Sequence, residues 1–69
     1  MNKKLADFMR NEIKKGLSRC TQQQQYMFRR CFSHNNLELP LNDIVDNIPE
    51  DNLNVADGLV KRTLEKAGE

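Results

Sequence analysis

Cys31 and His34 stand one helical turn apart, and with Cys20 they are the chain's three soft or borderline metal ligands. A structural zinc site normally takes four such ligands in recognisable pairs, and no second pair follows. The pattern therefore predicts buried free thiols in a reducing compartment rather than a metal centre. Asp43 and Asp46 lie three residues apart and could be drawn as a carboxylate pair. Such a pair does acid–base work only in a cleft that perturbs its pKa values, so a solvated acidic face is the simpler reading. There is one histidine, no nucleophile motif, no glycine-rich phosphate loop and no HExxH pattern. No catalytic residue, metal or cofactor is predicted, and the chain reads as non-enzymatic.

Binding is better supported. If Met27 centres the buried side of a helix, Tyr26, Arg29 and Arg30 point away from it, and His34 follows one turn beyond Arg30. Tyr and Arg recur at binding hot spots because each joins a wide apolar surface to a polar end. The plain alternative packs Tyr26 within the chain and leaves the arginines solvated. Charge is also divided: residues 1–34 hold eight Lys or Arg and two acids, residues 35–69 three and eight, for a net charge of +1. Such a chain can present its basic half to an anionic partner or dock one half on the other. Lys14, Lys15, Lys61 and Arg62 are the candidates for nucleic-acid binding. Residues 31–60, with no Lys or Arg before Lys61, could instead meet a basic surface, although DNA mimics usually carry a strongly negative total.

These residues must be positioned by a small fold. A length of 69 residues suits one domain, near the lower limit for a single core. Leu5, Met9, Ile13 and Leu17, with Phe8 beside them, mark the apolar stripe of a first helix. Lys3, Arg10 and Lys14 lie on its opposite face. Gly16 weakens that helix, which should stop near Ser18. Thr21 with Gln24 fits a capping box, so a second helix should begin at Gln22 and bury Met27, Phe28, Cys31 and Phe32. Residues 33–38 read as a loop. Pro40 suits the first turn of a short helix that buries Leu41, Ile44, Val45 and Ile48.

Asn47 with Glu50 resembles another cap, and Pro49 would open a fourth helix reaching Ala67. Leu53, Ala56, Val60, Leu64 and Ala67 share one of its sides, with Leu59 beside them. Gly58 costs that helix about 1 kcal/mol relative to alanine, which close packing would justify. Asp57, Lys61 and Glu65 form an exposed charge ladder, and Gly68 is a stop. No strand pattern competes. The prediction is a single all-α domain over residues 1–69, a small bundle of three long-to-medium helices plus one short helix. No apolar run approaches the roughly 20 residues that cross a bilayer, and no signal-length apolar stretch follows the basic opening. Membrane binding is not expected, and the cytoplasm is the expected location.

Two resemblances add to this. "PLNDIVDNIPEDNLNVADGLVKRTLEKAG" is similar in layout to region 4 of bacterial sigma factors, with Leu41, Ile44 and Val45 matching the first helix of the motif. Val60, Lys61, Arg62, Leu64, Glu65 and Lys66 match its end, and "TQQQQYMFRRCF" stands where the family has its preceding helix. That resemblance implies a DNA-binding transcriptional regulator with a modified helix-turn-helix over residues 41–67. The sequence departs from it where the second helix should meet DNA, at Pro49, Glu50, Asp51, Asn52, Leu53 and Asn54. Two carboxylates there would face phosphates, whereas DNA affinity comes largely from basic side chains.

"YMFRRCFSHNNLELPLNDIVDNIPEDNLNVADGLVKRTLEK" resembles short uncharacterised helical proteins of tailed bacteriophages. Phe28, Arg29, Arg30, Phe32, Ser33, His34, Asn36, Leu37, Pro40 and Val45 match, as do Val60, Thr63, Leu64, Glu65 and Lys66. It implies a phage or prophage origin and brings no settled activity. The expectation is a small protein-binding module, a phage-encoded inhibitor or regulator of a host protein in the host cytoplasm. Self-association as a homodimer is a further expectation, and DNA binding is the alternative.

Overall fold

In the computed structural model, which describes residues 2–32 and 38–67, the chain forms four α-helices and one 3-10 turn. They are α1 (Lys3–Ser18), α2 (Gln22–Phe32), α3 (Leu41–Asp46), the turn Glu50–Asn52, and α4 (Leu53–Ala67). Every regular element among the described residues is helical, as the periodicity predicts. Of the loop expected at residues 33–38, residues 33–37, His34 among them, lie outside the described residues, as does the stop at Gly68.

Local chemistry sets the ends of the helices. Asn2 caps α1, its Oδ1 accepting the Leu5 N–H at 2.8 Å. The expected capping box is formed: the Gln24 N–H donates to Thr21 Oγ1 at 3.1 Å, and the Thr21 N–H donates to Gln24 Oε1 at 2.8 Å. Gln25 serves the preceding helix instead. Its Nε2 donates to the carbonyls of Leu17 and Cys20 at 2.8 and 3.3 Å, closing groups that a helix end leaves open. The glutamine run is therefore more than a stretch of helix formers.

The other corner differs from expectation. Asn47 ends α3 as its C-cap, its backbone N–H pointing at the carbonyls of Asp43, Ile44 and Val45, rather than opening the fourth helix. Pro40 and Pro49 each stand one residue before a helical start in extended geometry, with ψ of 146° and 144°. Residues 50–52 wind as a 3-10 turn, so α4 begins at Leu53 and not at Pro49. Glu50 and Asp51 occupy this N-terminal end, where the helix dipole favours carboxylates.

The core joins Ala6, Ile13 and Leu17 of α1, Phe28 of α2, Ile44 and Val45 of α3, Ile48, and Leu53, Ala56 and Val60 of α4. The largest packing surface lies between α1 and α4, while α3 sits against both α1 and α2. At the α1–α4 crossing the buried Gly16 faces Val60. A Cβ on Gly16 would lie 2.4 Å from Val60 Cγ1, far inside contact distance. Glycine is thus what lets α4 approach α1.

The sequence reading assigned close packing to Gly58, but that residue is exposed and its Cβ would meet nothing within 4 Å. The buried stripe of α1 is rotated to match. Small Ala6 and Gly16 face inward, whereas Leu5 and Phe8 are exposed, Phe8 by 60%. In α2 the buried side is centred on Phe28, whose ring lies 4.7 Å from that of Phe32. Met27 and Cys31, expected inside, are exposed. The molecule is only 16 Å across its shortest axis, less than two helix diameters, so a helix here can bury only one narrow side.

Because Gly58 touches nothing in its own chain, Gly58→Ala should raise the unfolding free energy by about 0.5–1 kcal/mol. Urea denaturation at low protein concentration checks this.

Candidate functional site: the cleft beside α2

The basic face of α1 is largely spent on the acidic half of the chain. Arg10 Nη2 donates to the Ile48 carbonyl at 2.9 Å, and Lys14 Nζ lies 2.8 Å from Asp46 Oδ1. Both contacts sit at the C-terminal end of α3, where the helix dipole is negative. Arg10 Nε is buried beside them and bonds no described group. From α2, Arg29 Nη1 donates to the Leu39 carbonyl. Of the two uses that a divided charge allows, docking one half on the other is realised at three places.

These contacts sort the candidate residues. Among the nucleic-acid candidates, Lys14 is paired with Asp46, and Lys61 with Asp57 at 3.0 Å. The hydrogen bond and charge of Asp57 hold the Lys61 pKa above its ordinary value. Lys15 and Arg62 are exposed. Lys15 and Lys61 share a shallow depression with Glu12, Arg19 and Asp57, a wall of mixed sign. Among the partner-binding candidates, Tyr26 and Arg30 are exposed neighbours on α2. Arg29 is half-buried and turned toward Leu39, a correction to its expected outward direction. His34 lies outside the described residues.

Between α2 and α4 opens a cleft of about 250 Å³. Gln24, Met27, Phe28 and Cys31 form one wall, Leu59, Val60 and Thr63 the other, and Leu17 and Cys20 also line it. Residues 24, 27, 28 and 31 recur at the helical i, i+3, i+4, i+7 spacing, so α2 turns one continuous side toward it. Met27 stands at the outer lip, 58% exposed. The volume falls below that of an ordinary small-ligand pocket, and the lining is mostly apolar. What it can hold is one or two apolar side chains.

Both thiols line the cleft as free cysteines. Cys20 is half-buried, and its thiol donates to the Gly16 carbonyl at 3.4 Å. Burial pushes the Cys20 pKa up, opposed in part by the charge of Arg19. The sequence reading missed the cleft because it counted Met27 and Cys31 as core. One signal could have exposed it: Met27, Phe28, Cys31 and Phe32 span too wide an arc for a thin bundle to bury.

No helix among the described residues is long and apolar enough to cross a membrane. With a thiol-alkylating reagent near neutral pH, Cys31 should be modified well before Cys20, since only the thiolate reacts and Cys20 is both shielded and harder to ionise. Mass spectrometry of a time course reads the order, and urea should abolish the difference. No family model, curated protein or solved structure matches this chain.

Proposed function

We propose that this chain is a non-enzymatic protein-binding module whose partner docks at the cleft between α2 and α4, at its lip Met27, and on the exposed face of α2 that carries Arg30 and Tyr26. The observation that carries this reading is Met27, a large apolar side chain left in water at the mouth of an apolar cleft. Methionine, tyrosine and arginine are the residue types that interfaces concentrate, and here three stand together on one helix. Methionine also adapts its shape to a partner better than branched side chains do. Covering the exposed part of it would stabilise a complex by roughly 1–2 kcal/mol.

A partner helix laid along the cleft could insert one or two apolar anchors between Met27 and Leu59, and reach Arg30 beyond Met27 on the exposed face of α2. Arg29 contributes by holding Leu39 rather than by touching the partner. A phage-encoded regulator of a host protein, acting in the host cytoplasm, is the biological setting this reading takes from the sequence. Among the candidates of the competing nucleic-acid reading, Lys14 and Lys61 are in ion pairs, whereas Lys15 and Arg62 are exposed and form none among the described residues.

Tagged protein and its Met27→Glu and Tyr26→Ala variants, incubated with nuclease-treated bacterial lysate, provide the test. A stoichiometric protein retained by the parent chain should bind Met27→Glu at least about tenfold more weakly, with helical circular dichroism unchanged. Capture of nucleic acid, with every co-purifying protein lost after nuclease, would contradict the reading. So would equal capture by Met27→Glu.

A further inference from the structure

We infer that the solvent side of α4 is a self-association surface whose partner is a second copy of this chain, packed antiparallel across a two-fold axis. The inference rests on residues other than those of the cleft, apart from Leu59, which borders both. Asp51, Val55, Gly58, Arg62 and Lys66 follow one another at intervals of three or four residues, so they form one continuous outward stripe along the 3-10 turn and α4. All five are exposed, Val55 by 64%, and half-buried Leu59 borders them.

One feature of the stripe, Gly58, lacks a purpose within one chain; the other, its charge polarity, suits the dipole of α4 and is also open to a second use. Glycine in a helix interior is destabilising relative to alanine, yet a Cβ at Gly58 would meet nothing within 4 Å among the described residues. Elsewhere in this molecule the glycine inside a helix, Gly16, marks a close helix crossing. Charge along the stripe is also polarised. Glu50 and Asp51 stand at its start, Arg62 and Lys66 at its end, and none of these four forms an ion pair among the described residues.

That polarity selects both the partner and its direction. A parallel copy would set acid against acid and base against base. In the antiparallel arrangement Asp51 faces Lys66 of the second copy, Val55 lies against the aliphatic stem of its Arg62, and Leu59 enters the space over its Gly58. Each contact occurs twice, as two-fold symmetry requires, and the surface complements itself. A core this small gains from apolar area covered by a second copy.

Sedimentation equilibrium from about 1 to 500 µM, at low and moderate salt, tests the inference, since that range brackets weak helix-pair dimers. The chain should form dimers whose dissociation constant rises with salt. Asp51→Lys and Lys66→Asp should each weaken the dimer about tenfold or more, and the two together should restore it to within about threefold. Gly58→Ala should weaken it while leaving the monomer at least as stable. A monomer across the whole range would overturn the inference. A dimer indifferent to the charge swaps would also overturn it, and a dimer lost only in Met27→Glu would place the contact at the cleft instead.

Discussion

The absence of one side chain, at Gly16, sets how this molecule is put together. Any larger residue there would run into Val60, so the α1–α4 distance is fixed by a hydrogen where other residues have a methyl. With α4 held close, Leu53, Ala56 and Val60 reach the layer formed by Ala6, Ile13 and Leu17. The same approach places Leu59 and Thr63 as the far wall of the cleft. The second helix is then left with one fully buried residue, Phe28, and with polar ties at Gln25 and Arg29. A cleft is left open between α2 and α4.

Electrostatics within the fold follow the same economy of contact. The chain's two halves carry opposite charge, and part of that charge is used to seat one on the other through Arg10, Lys14 and Arg29. Exposed ion pairs such as Lys14–Asp46 contribute little individually, about 0–1 kcal/mol. The part-buried Arg10 bond to the Ile48 carbonyl contributes more, because a charged donor serves a carbonyl that water reaches poorly. What remains outward is a mixed surface with apolar features at Leu5 and Phe8 on α1, at the Met27 lip and at Val55.

The helices were legible in the sequence because their signals are local. Thr21 and Gln24 define a start through bonds spanning three residues, and the spacing of Ile44, Val45 and Ile48 needs no knowledge of other elements. Errors arose where a distant element decides. Leu5 and Phe8 look like core by type, yet Ala6 and Gly16 are the residues small enough to lie where α4 arrives. Gly16 and Gly58 are alike in sequence context and opposite in use, one filled by Val60 and one open. Asn47 was read forward as a cap for the next helix when it closes the previous one. Tyr26 and Arg30 are readable as an outward pair, but the cleft between α2 and α4 is not, since it depends on how far α4 lies from α2.

The measurement closest to this claim is urea unfolding of Gly16→Ala, alone and combined with Val60→Ala. Alanine is the better helix former by about 1 kcal/mol, so helix propensity by itself would make Gly16→Ala stabilising. The crowded crossing instead predicts a loss of about 1–3 kcal/mol, with much of that loss removed when Val60 is already alanine. A Gly16→Ala chain as stable as the parent or more so, with no coupling to Val60, would contradict a fold built around this contact.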